Sequence, residues 1–263
     1  MVNMRLIGKI AIITGGATGM GAAEAKVFAS EGAHVVVGDI LVEEGEELVR
    51  DITEAGGSAS FVRLDVTCEE EWKQVVKLMT DHLGRIDILV NNAGIAKIGN
   101  IETTSTDQWS EILKINLDSV FFGCRSAIPE MSKSGGGSII NMSSTTALIG
   151  LSPYLAYSAA KGGIRSMTKS IATHCHEQKN NIRCNSIHPG SILTPMVHKA
   201  LETLAGIKLE EQEDPKATQK MMGIGEPLDV ANMVLFLASD ESKHINGAEL
   251  VIDNGATIGD ISR

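Results

Sequence analysis

The chain has few cysteines and no hydrophobic run that approaches the length of a membrane span. Its four cysteines are scattered without a CxxC pair, which argues against a disulfide framework and indicates reduced, mostly buried thiols. His174 and His176 flank Cys175, but on a helix they point away from each other, so no metal site is expected. The N-terminus lacks the long apolar segment and the cleavage site of a signal peptide, and we therefore expect a cytoplasmic location.

Positive charge is also scarce, with 23 Lys and Arg against 33 Asp and Glu and a net charge of −10. This balance argues against nonspecific binding to nucleic acid or to anionic membranes, so neither is an expected partner. The chain contains no internal repeat, low-complexity tract or recognisable linker. Its 263 residues, 43% of them hydrophobic, are enough for a substantial core, and we predict that residues 1–263 form one domain.

Apolar, β-branched segments alternate with helical patterns along most of the chain. The predicted strands are 10–14, 34–39, 60–65, 86–92, 137–144, 181–190 and 248–255. The predicted helices are 19–31, 42–55, 69–83, 107–133, 157–178 and 227–239. Such alternation is typical of an α/β protein, here a single-domain doubly wound parallel sheet, or Rossmann fold, with helices on both faces.

Residues 193–225 break this alternation with an amphipathic stretch, a charged run and two methionines. An ordinary helical hairpin on the surface is one interpretation. A lid over a substrate pocket is the favoured one, because the segment follows a strand at the end where doubly wound sheets bind ligands. The candidate apolar lining residues are Met196, Leu201, Leu204, Met221 and Met222.

The first strand runs directly into a glycine-rich turn, TGGATGMG at 14–21, and then into a helix. Glycines allow unusual dihedral angles and a close approach of the backbone to a pyrophosphate, which the amides of the helix N-terminus would bind. No GK[ST] follows, which excludes a P-loop. Asp39 ends the second strand, where a carboxylate can bind the adenosine ribose and repel a 2′-phosphate. We therefore predict NAD rather than NADP, with a loop-capping role for Asp39 as the alternative.

Tyr157 and Lys161 are four residues apart, and Ser144 lies thirteen residues before the tyrosine. On a helix this spacing places the phenol and the ammonium group on one face. A fixed cation favours the phenolate and lowers the pKa of the phenol towards the range useful for proton transfer. A serine hydroxyl from a neighbouring strand end could hold the oxygen that exchanges the proton. The three residues predict an acid/base site for carbonyl–alcohol chemistry.

These motifs, together with NNAG at 91–94, Asn116 and the Pro189-Gly190 pair, resemble the short-chain dehydrogenase/reductase family in its plain single-domain form. The resemblance extends from about Leu6 to Gly259. It implies that Tyr157 is the general acid/base, that Lys161 lowers its pKa and holds the nicotinamide ribose, and that Ser144 orients the substrate oxygen. It further implies that Asn116 anchors a water linking Lys161 to solvent.

The resemblance also implies a set of cofactor contacts that runs from the glycine turn to the segment after the sixth strand. These residues are Thr14, Gly15, Thr18, Gly19, Met20, Gly21, Asp39, Asp65, Val66, Asn92, Ala93, Gly94, Tyr157, Lys161, Pro189, Gly190, Ile192 and Thr194. Asp65 and Val66 would meet the adenine, and the last four would hold the nicotinamide end. Members of this family are typically homotetramers, and we expect the same here.

The expected function is NAD-dependent interconversion of a hydrophobic secondary alcohol, such as a cycloalkanol or hydroxysteroid, and its ketone. The residues that suggest an apolar pocket are Ile95, Ile98, Ala147, Leu148, Ile149, Leu151 and Leu155. The alternative is reduction of a 3-oxoacyl thioester on acyl carrier protein, an activity that commonly uses NADPH and that Asp39 disfavours. A nucleotide-binding scaffold without catalysis and a methyltransferase are the rival classes, and neither accounts for the Tyr157–Lys161 pair.

Overall fold

The structure, a computed structural model, describes residues 4–259 and contains one seven-stranded sheet in which all neighbouring strands are parallel. The strands are Ile10–Thr14 (β1), His34–Asp39 (β2), Ser58–Arg63 (β3), Ile88–Asn91 (β4), Gly137–Met142 (β5), Ile182–Pro189 (β6) and Glu249–Ile252 (β7). Their order in the sheet is β3-β2-β1-β4-β5-β6-β7. The chain thus winds outward from β1 in one direction, returns to β4 on the other side of β1, and continues outward from there, which confirms the doubly wound fold.

Helices cover both faces of the sheet. They are Gly19–Ser30 (α1), Val42–Glu54 (α2), Glu69–Leu83 (α3), Thr106–Leu113 (α4), Ser119–Lys133 (α5), Leu155–Gln178 (α6), Pro195–Ala205 (α7), Pro215–Met221 (α8) and Pro227–Ala238 (α9). Two apolar cores result, one beneath α1, α2 and α9 and the other beneath α3, α5 and α6. The central strands β1, β2 and β4 are buried on both sides, which explains their almost continuous apolar sequences.

The predicted helix at 107–133 has an interruption that the sequence pattern does not reveal. Its residues lie in α4, in a π-helical turn over Lys114–Asp118, and in α5. A π-helical turn inserts one extra residue into a helical turn, and such insertions are frequent at functional sites. This turn contains Asn116, which it directs inward so that the residue is fully buried.

Residues 193–225 form α7, a short 3₁₀ turn and α8 rather than a further strand. Each helix from α7 to α9 starts with proline directly after a capping residue, a sequence that favours helix initiation. The two ends of the segment are joined by a β-bridge between Ile192 and Gly225, whereas no residue of α7 is buried. A role as a lid stays a prediction. Among residues 4–259, no helix combines the length and the apolar character needed to cross a bilayer.

Candidate functional site

The glycine turn lies at the carboxyl end of β1, beside the crevice where the strand order reverses between β1 and β4. Gly15 and Gly19 have φ values of 60° and 57°, a left-handed conformation that glycine adopts without strain. A Cβ on Gly21 would lie 2.2 Å from the carbonyl oxygen of Gly15. The backbone can therefore fold this closely only because these positions have no side chain.

The N-terminus of α1 is open for an anion. Thr18 occupies the N-cap position without a side-chain capping bond, and the first turn of α1, which includes Met20, carries no acidic residue. The amides of this turn therefore have no competing carboxylate, and the helix dipole favours negative charge at this end. An uncapped helix N-terminus behind a turn that only glycine can form fits the pyrophosphate of a dinucleotide.

Asp39 is a buried carboxylate held by backbone amides at the end of β2. Its Oδ2 accepts a hydrogen bond from the amide of Ala17 at 3.0 Å, and its Oδ1 accepts from Ile40 and Leu41 at 2.7 and 3.1 Å. A carboxylate offers about four acceptor sites, so one site on Oδ2 is left for a further donor. The carboxylate thus both caps the loop and remains able to bind a hydroxyl group, which combines the two roles considered from the sequence.

Asp65 and Val66 follow β3 and lie beside Asp39, because the amide of Leu64 donates to the Asp39 carbonyl at 3.0 Å. Asp65 turns its carboxylate to Thr67, whose amide and hydroxyl both donate to Oδ1. The side chain of Val66 is buried in the apolar core, and its carbonyl accepts from the indole of Trp72. A contact of Val66 with an adenine would therefore involve mainly its backbone.

The NNAG segment is hydrogen-bonded to the glycine turn. Asn92 donates through its side-chain amide to the carbonyls of Thr14 and Gly15 at 3.1 and 3.0 Å. In return, the Thr14 hydroxyl accepts from the amides of Asn92 and Ala93. Ala93 lies so close to Gly15 that a Cβ on that glycine would approach its Cα to 2.7 Å. Two motifs that are 77 residues apart thereby form one wall of the crevice.

Gly94 connects this wall to the polar residues deeper in the site. A Cβ on Gly94 would lie 2.6 Å from Oδ1 of Asn116 and 3.5 Å from Nζ of Lys161. The Asn116 side chain donates to the carbonyls of Ile95 and Ile112 and accepts from the amide of Ile95. Protein carbonyls thus use both amide protons of Asn116, while its Oδ1 keeps a second acceptor position. That Asn116 anchors a water stays a prediction.

Ser144, Tyr157 and Lys161 converge at the carboxyl end of β5. The Ser144 hydroxyl lies near enough to the Tyr157 phenol to lower its pKa, and Nζ of Lys161 is 5.4 Å from the centroid of the phenol ring. Lys161 is buried and donates to the carbonyl of Met142 at 2.7 Å. The neighbouring Ser143 is not available, because its hydroxyl donates to the carbonyl of Lys161 at 2.9 Å.

The protonation of this pair differs from the sequence-based expectation of a lowered tyrosine pKa. Burial raises the pKa of Tyr157 to about 12, an effect that the Ser144 hydrogen bond opposes and nearby Tyr154 reinforces. Burial also lowers the pKa of Lys161 to about 7. Desolvation penalises the charged form of both groups, and it is the largest cause of each shift. The prediction that the pKa of Tyr157 is lowered is therefore wrong for the protein by itself.

Residues 189–194 approach the same crevice from the carboxyl end of β6. Gly190 pairs with β7 through a 2.9 Å hydrogen bond to the carbonyl of Ile252, while the side chains of Pro189 and Ile192 are buried. Thr194 lies over the glycine turn, since a Cβ on Gly19 would approach its Cγ2 to 3.3 Å. The sequence-predicted residues thus surround one crevice, although Ile192 can contact a ligand there only through its backbone.

Sequence reasoning missed Tyr154 and the carbonyl of Met142. Tyr154 lies three residues before Tyr157, is partly buried, and presents its ring edge-on at a centroid distance of 6.2 Å. Pro153 and Leu155, which flank Tyr154, form backbone hydrogen bonds with Gly99. These bonds hold Tyr154 beside the segment that follows NNAG. The sequence shows an aromatic residue three positions before the candidate catalytic tyrosine. Only the contact with Gly99 shows that this residue borders the site.

Comparisons with known proteins cover nearly the whole chain. A family model described as enoyl-(acyl carrier protein) reductase matches residues 15–257. The 2,5-dichloro-2,5-cyclohexadiene-1,4-diol dehydrogenase of Sphingobium indicum is 40% identical over 255 residues, which are 97% of this chain and 98% of the relative. The 3-alpha-(or 20-beta)-hydroxysteroid dehydrogenase of Mycobacterium tuberculosis is 41% identical over 255 residues, 97% of this chain and 92% of the relative. A crystal structure of a short-chain dehydrogenase/reductase from Burkholderia xenovorans superposes with a TM-score of 0.87 at 33% identity, covering 97% of this chain and 99% of that one.

Proposed function

The chain belongs to the short-chain dehydrogenase/reductase family, and from this premise we propose that it interconverts a hydrophobic secondary alcohol and its ketone with NAD. The observation that carries the proposal is the convergence of Ser144, Tyr157 and Lys161 at the crevice formed by the glycine turn and NNAG. The names of the two relatives, a cyclohexadienediol dehydrogenase and a hydroxysteroid dehydrogenase, support a cyclic secondary alcohol as substrate.

The positions of three groups support binding of the nucleotide. The uncapped N-terminus of α1 would bind the pyrophosphate, Asp39 the adenosine ribose, and Lys161 the nicotinamide ribose. When bound, NAD would accept a hydride from the alcohol carbon. The side chains beside Asp39 favour NAD over NADP, since Ile40 and Ala17 offer no positive charge to a 2′-phosphate.

Tyr157 would exchange the proton of the substrate hydroxyl at its phenolic oxygen, and Ser144 would hold the same substrate oxygen in place. Because burial raises the pKa of Tyr157 to about 12, alcohol oxidation requires added positive charge to favour the phenolate. A protonated Lys161 is one source of this charge, and the oxidised nicotinamide ring is the other. In the direction of ketone reduction, the high pKa suits Tyr157 to its role as a proton donor.

The substrate side of the crevice is largely apolar. Leu148 is partly buried, and Ile149 and Leu151 are exposed to 37% and 39% in the segment between Ser144 and α6. Lys97, which lies between the apolar residues Ile95 and Ile98, is paired with Glu111. An apolar ring would cover these side chains and remove them from water, which favours an apolar substrate over a charged one.

We further propose that residues 1–263 form one domain and that the protein assembles into a homotetramer. Exposed aromatic surface on α5 supports an assembly: Phe121 is 45% exposed, its ring is tilted against that of Phe122, and it lies under the guanidinium of Arg125. Large exposed apolar side chains on a helix are typical of interfaces between subunits. Light scattering coupled to size-exclusion chromatography would measure the number of subunits directly.

Nicotinamide absorbance tests the proposed function. The purified protein is assayed with NAD and with NADP over cycloalkanols, hydroxysteroids and 3-hydroxyacyl thioesters. Oxidation of a bulky apolar alcohol with preference for NAD would support the proposal. Preference for NADP with turnover of the thioester would refute it in favour of acyl reduction, the activity closer to the description of the matching family model.

A further inference from the structure

His188 is a fully buried histidine on β6 that contacts the backbone of Ser144. Its Nδ1 lies 3.1 Å from the carbonyl oxygen of Ser144, and its Nε2 lies 2.9 Å from the hydroxyl of Ser186. A carbonyl oxygen can only accept, so Nδ1 must carry the proton. The contact with Ser144 thus fixes a proton on Nδ1, and in the neutral ring Nε2 accepts from the Ser186 hydroxyl, which also has the carbonyl of Ala248 at 3.4 Å as an acceptor.

The position of this contact follows from the neighbouring proline. The ladder between β5 and β6 ends with the amide of Ser143 donating to the carbonyl of Ile187 at 2.8 Å. The next donor on β6 would be the amide of residue 189, but this residue is proline and has no N–H. The imidazole of His188 supplies the next hydrogen bond between the two strands, and it supplies it to Ser144.

Ser144 needs this support because it stands where β5 has already ended. It is the N-cap of a 3₁₀ turn over Thr145–Ala147, with extended dihedral angles of −166° and 159°. Within its own segment, its hydroxyl accepts from the amide of Thr146 and its carbonyl from the amide of Ala147. These are contacts within one turn, whereas the bond from His188 ties the residue to the rigid sheet.

We propose that His188 is a positioning residue, whose neutral imidazole holds the Ser144 carbonyl and so sets the place at which the Ser144 hydroxyl meets Tyr157 and the substrate oxygen. This inference rests on the proposed function for its catalytic consequence. Burial lowers the pKa of His188, which keeps the ring neutral, while Glu249, Arg165 and Lys169 are the charged groups that act on it. Because a misplacement of about 1 Å can cost roughly a hundredfold in rate, losing the tether should be visible in kcat.

The kinetic test compares His188→Leu with His188→Asn. Both variants remove the contact of residue 188 with the Ser186 hydroxyl, which keeps the carbonyl of Ala248 as an acceptor. The asparagine amide can donate from near the position of Nδ1, and leucine cannot. We expect His188→Leu to lower kcat for alcohol oxidation roughly tenfold to a hundredfold, with the Kd for NAD unchanged, and His188→Asn to recover most of the loss. Equal losses of kcat in the two variants would overturn the inference.

Ser138→Ala is the matched control for a loss of buried hydrogen bonding. Ser138 lies on the same strand β5, is buried, and donates to the carbonyl of Leu237 at 2.7 Å, away from the site. Its substitution should lower the unfolding temperature without lowering kcat. If His188→Leu also loses thermal stability while keeping kcat, its role is structural and the inference fails.

A measurement on the unaltered protein separates this inference from the proposed function. In protein labelled with 15N-histidine, the resonances missing in His188→Asn identify His188 among the seven histidines. We expect 15N shifts of a neutral ring protonated at Nδ1, unchanged between about pH 5 and 9. Protonation at Nε2, or a titrating ring, would overturn the inference. If the protein oxidises no alcohol with either nucleotide, the proposed function fails, and the tautomer still decides whether His188 holds Ser144.

Discussion

Glu24 is a carboxyl group in the interior of the protein, on the side of α1 that packs toward the sheet and α9. It is 0% exposed, and neither of its oxygens has a hydrogen-bond partner among residues 4–259. Burial raises the pKa of this carboxyl from 4.5 to about 8. The group is therefore protonated in the folded protein at neutral pH but ionised in the unfolded chain.

Replacing Glu24 by Gln should stabilise the protein at high pH and have little effect at low pH. The pKa of Glu24 is higher in the folded protein than in the unfolded chain. Its contribution to stability is therefore fully present below about pH 4.5 and is lost as the pH rises to about 8. At 1.36 kcal/mol for each pKa unit, the loss between these limits is on the order of 5 kcal/mol. Gln has nearly the same shape and does not ionise, so Glu24→Gln should escape this loss.

The assay is equilibrium unfolding in urea at pH 5 and pH 8.5, at one fixed protein concentration because assembly contributes to stability. The difference in unfolding free energy between Glu24→Gln and the unaltered protein should increase by several kcal/mol from the lower to the higher pH. Glu47→Gln, which removes a solvent-exposed carboxylate on α2, is the control and should show no such increase. A difference that is the same at both pH values would refute a buried, protonated Glu24.

Three further predictions concern the proposed catalytic chemistry. Tyr157→Phe should lower kcat by several orders of magnitude while NAD still binds, as measured by fluorescence titration. Replacing Asp39 by Ser together with Ile40 by Arg should shift the ratio of kcat/KM from NAD towards NADP by at least tenfold, because a repelling carboxylate is exchanged for a cation. Burial raises the pKa of Tyr157 to about 12, so oxidation should accelerate as the pH rises towards 10 while reduction, which uses the protonated phenol, should stay nearly constant, measured as initial rates in both directions.

Each of these predictions has an outcome that contradicts it. Full activity of Tyr157→Phe would remove the tyrosine from the mechanism. Unchanged nucleotide preference in the double variant would mean that the end of β2 does not contact the ribose. Oxidation rates that are independent of pH up to 10 would show that proton transfer to Tyr157 does not limit the reaction.

The alternation of strands and helices and the order of the motifs are readable from the sequence because they depend on local patterns. Doubly buried strands such as β1 and β2 are nearly continuous apolar runs, and their bounds at 10–14 and 34–39 agree with the prediction. The glycine turn is equally readable, since left-handed angles at Gly15 and Gly19 demand glycine. These features depend on the local backbone conformation and burial of each residue, which its type and its neighbours in the sequence indicate.

Only the tertiary structure decided the contacts and the electrostatic environment of the site. No spacing in the sequence reveals that Pro189 ends the strand ladder and that His188 takes over by bonding Ser144. Likewise, the i, i+4 relation places Lys161 beside Tyr157 correctly, but the direction of the tyrosine pKa depends on how deeply both groups are buried. The sequence determines which groups are brought together, whereas the free energy of their charges depends on how much water the fold excludes around them.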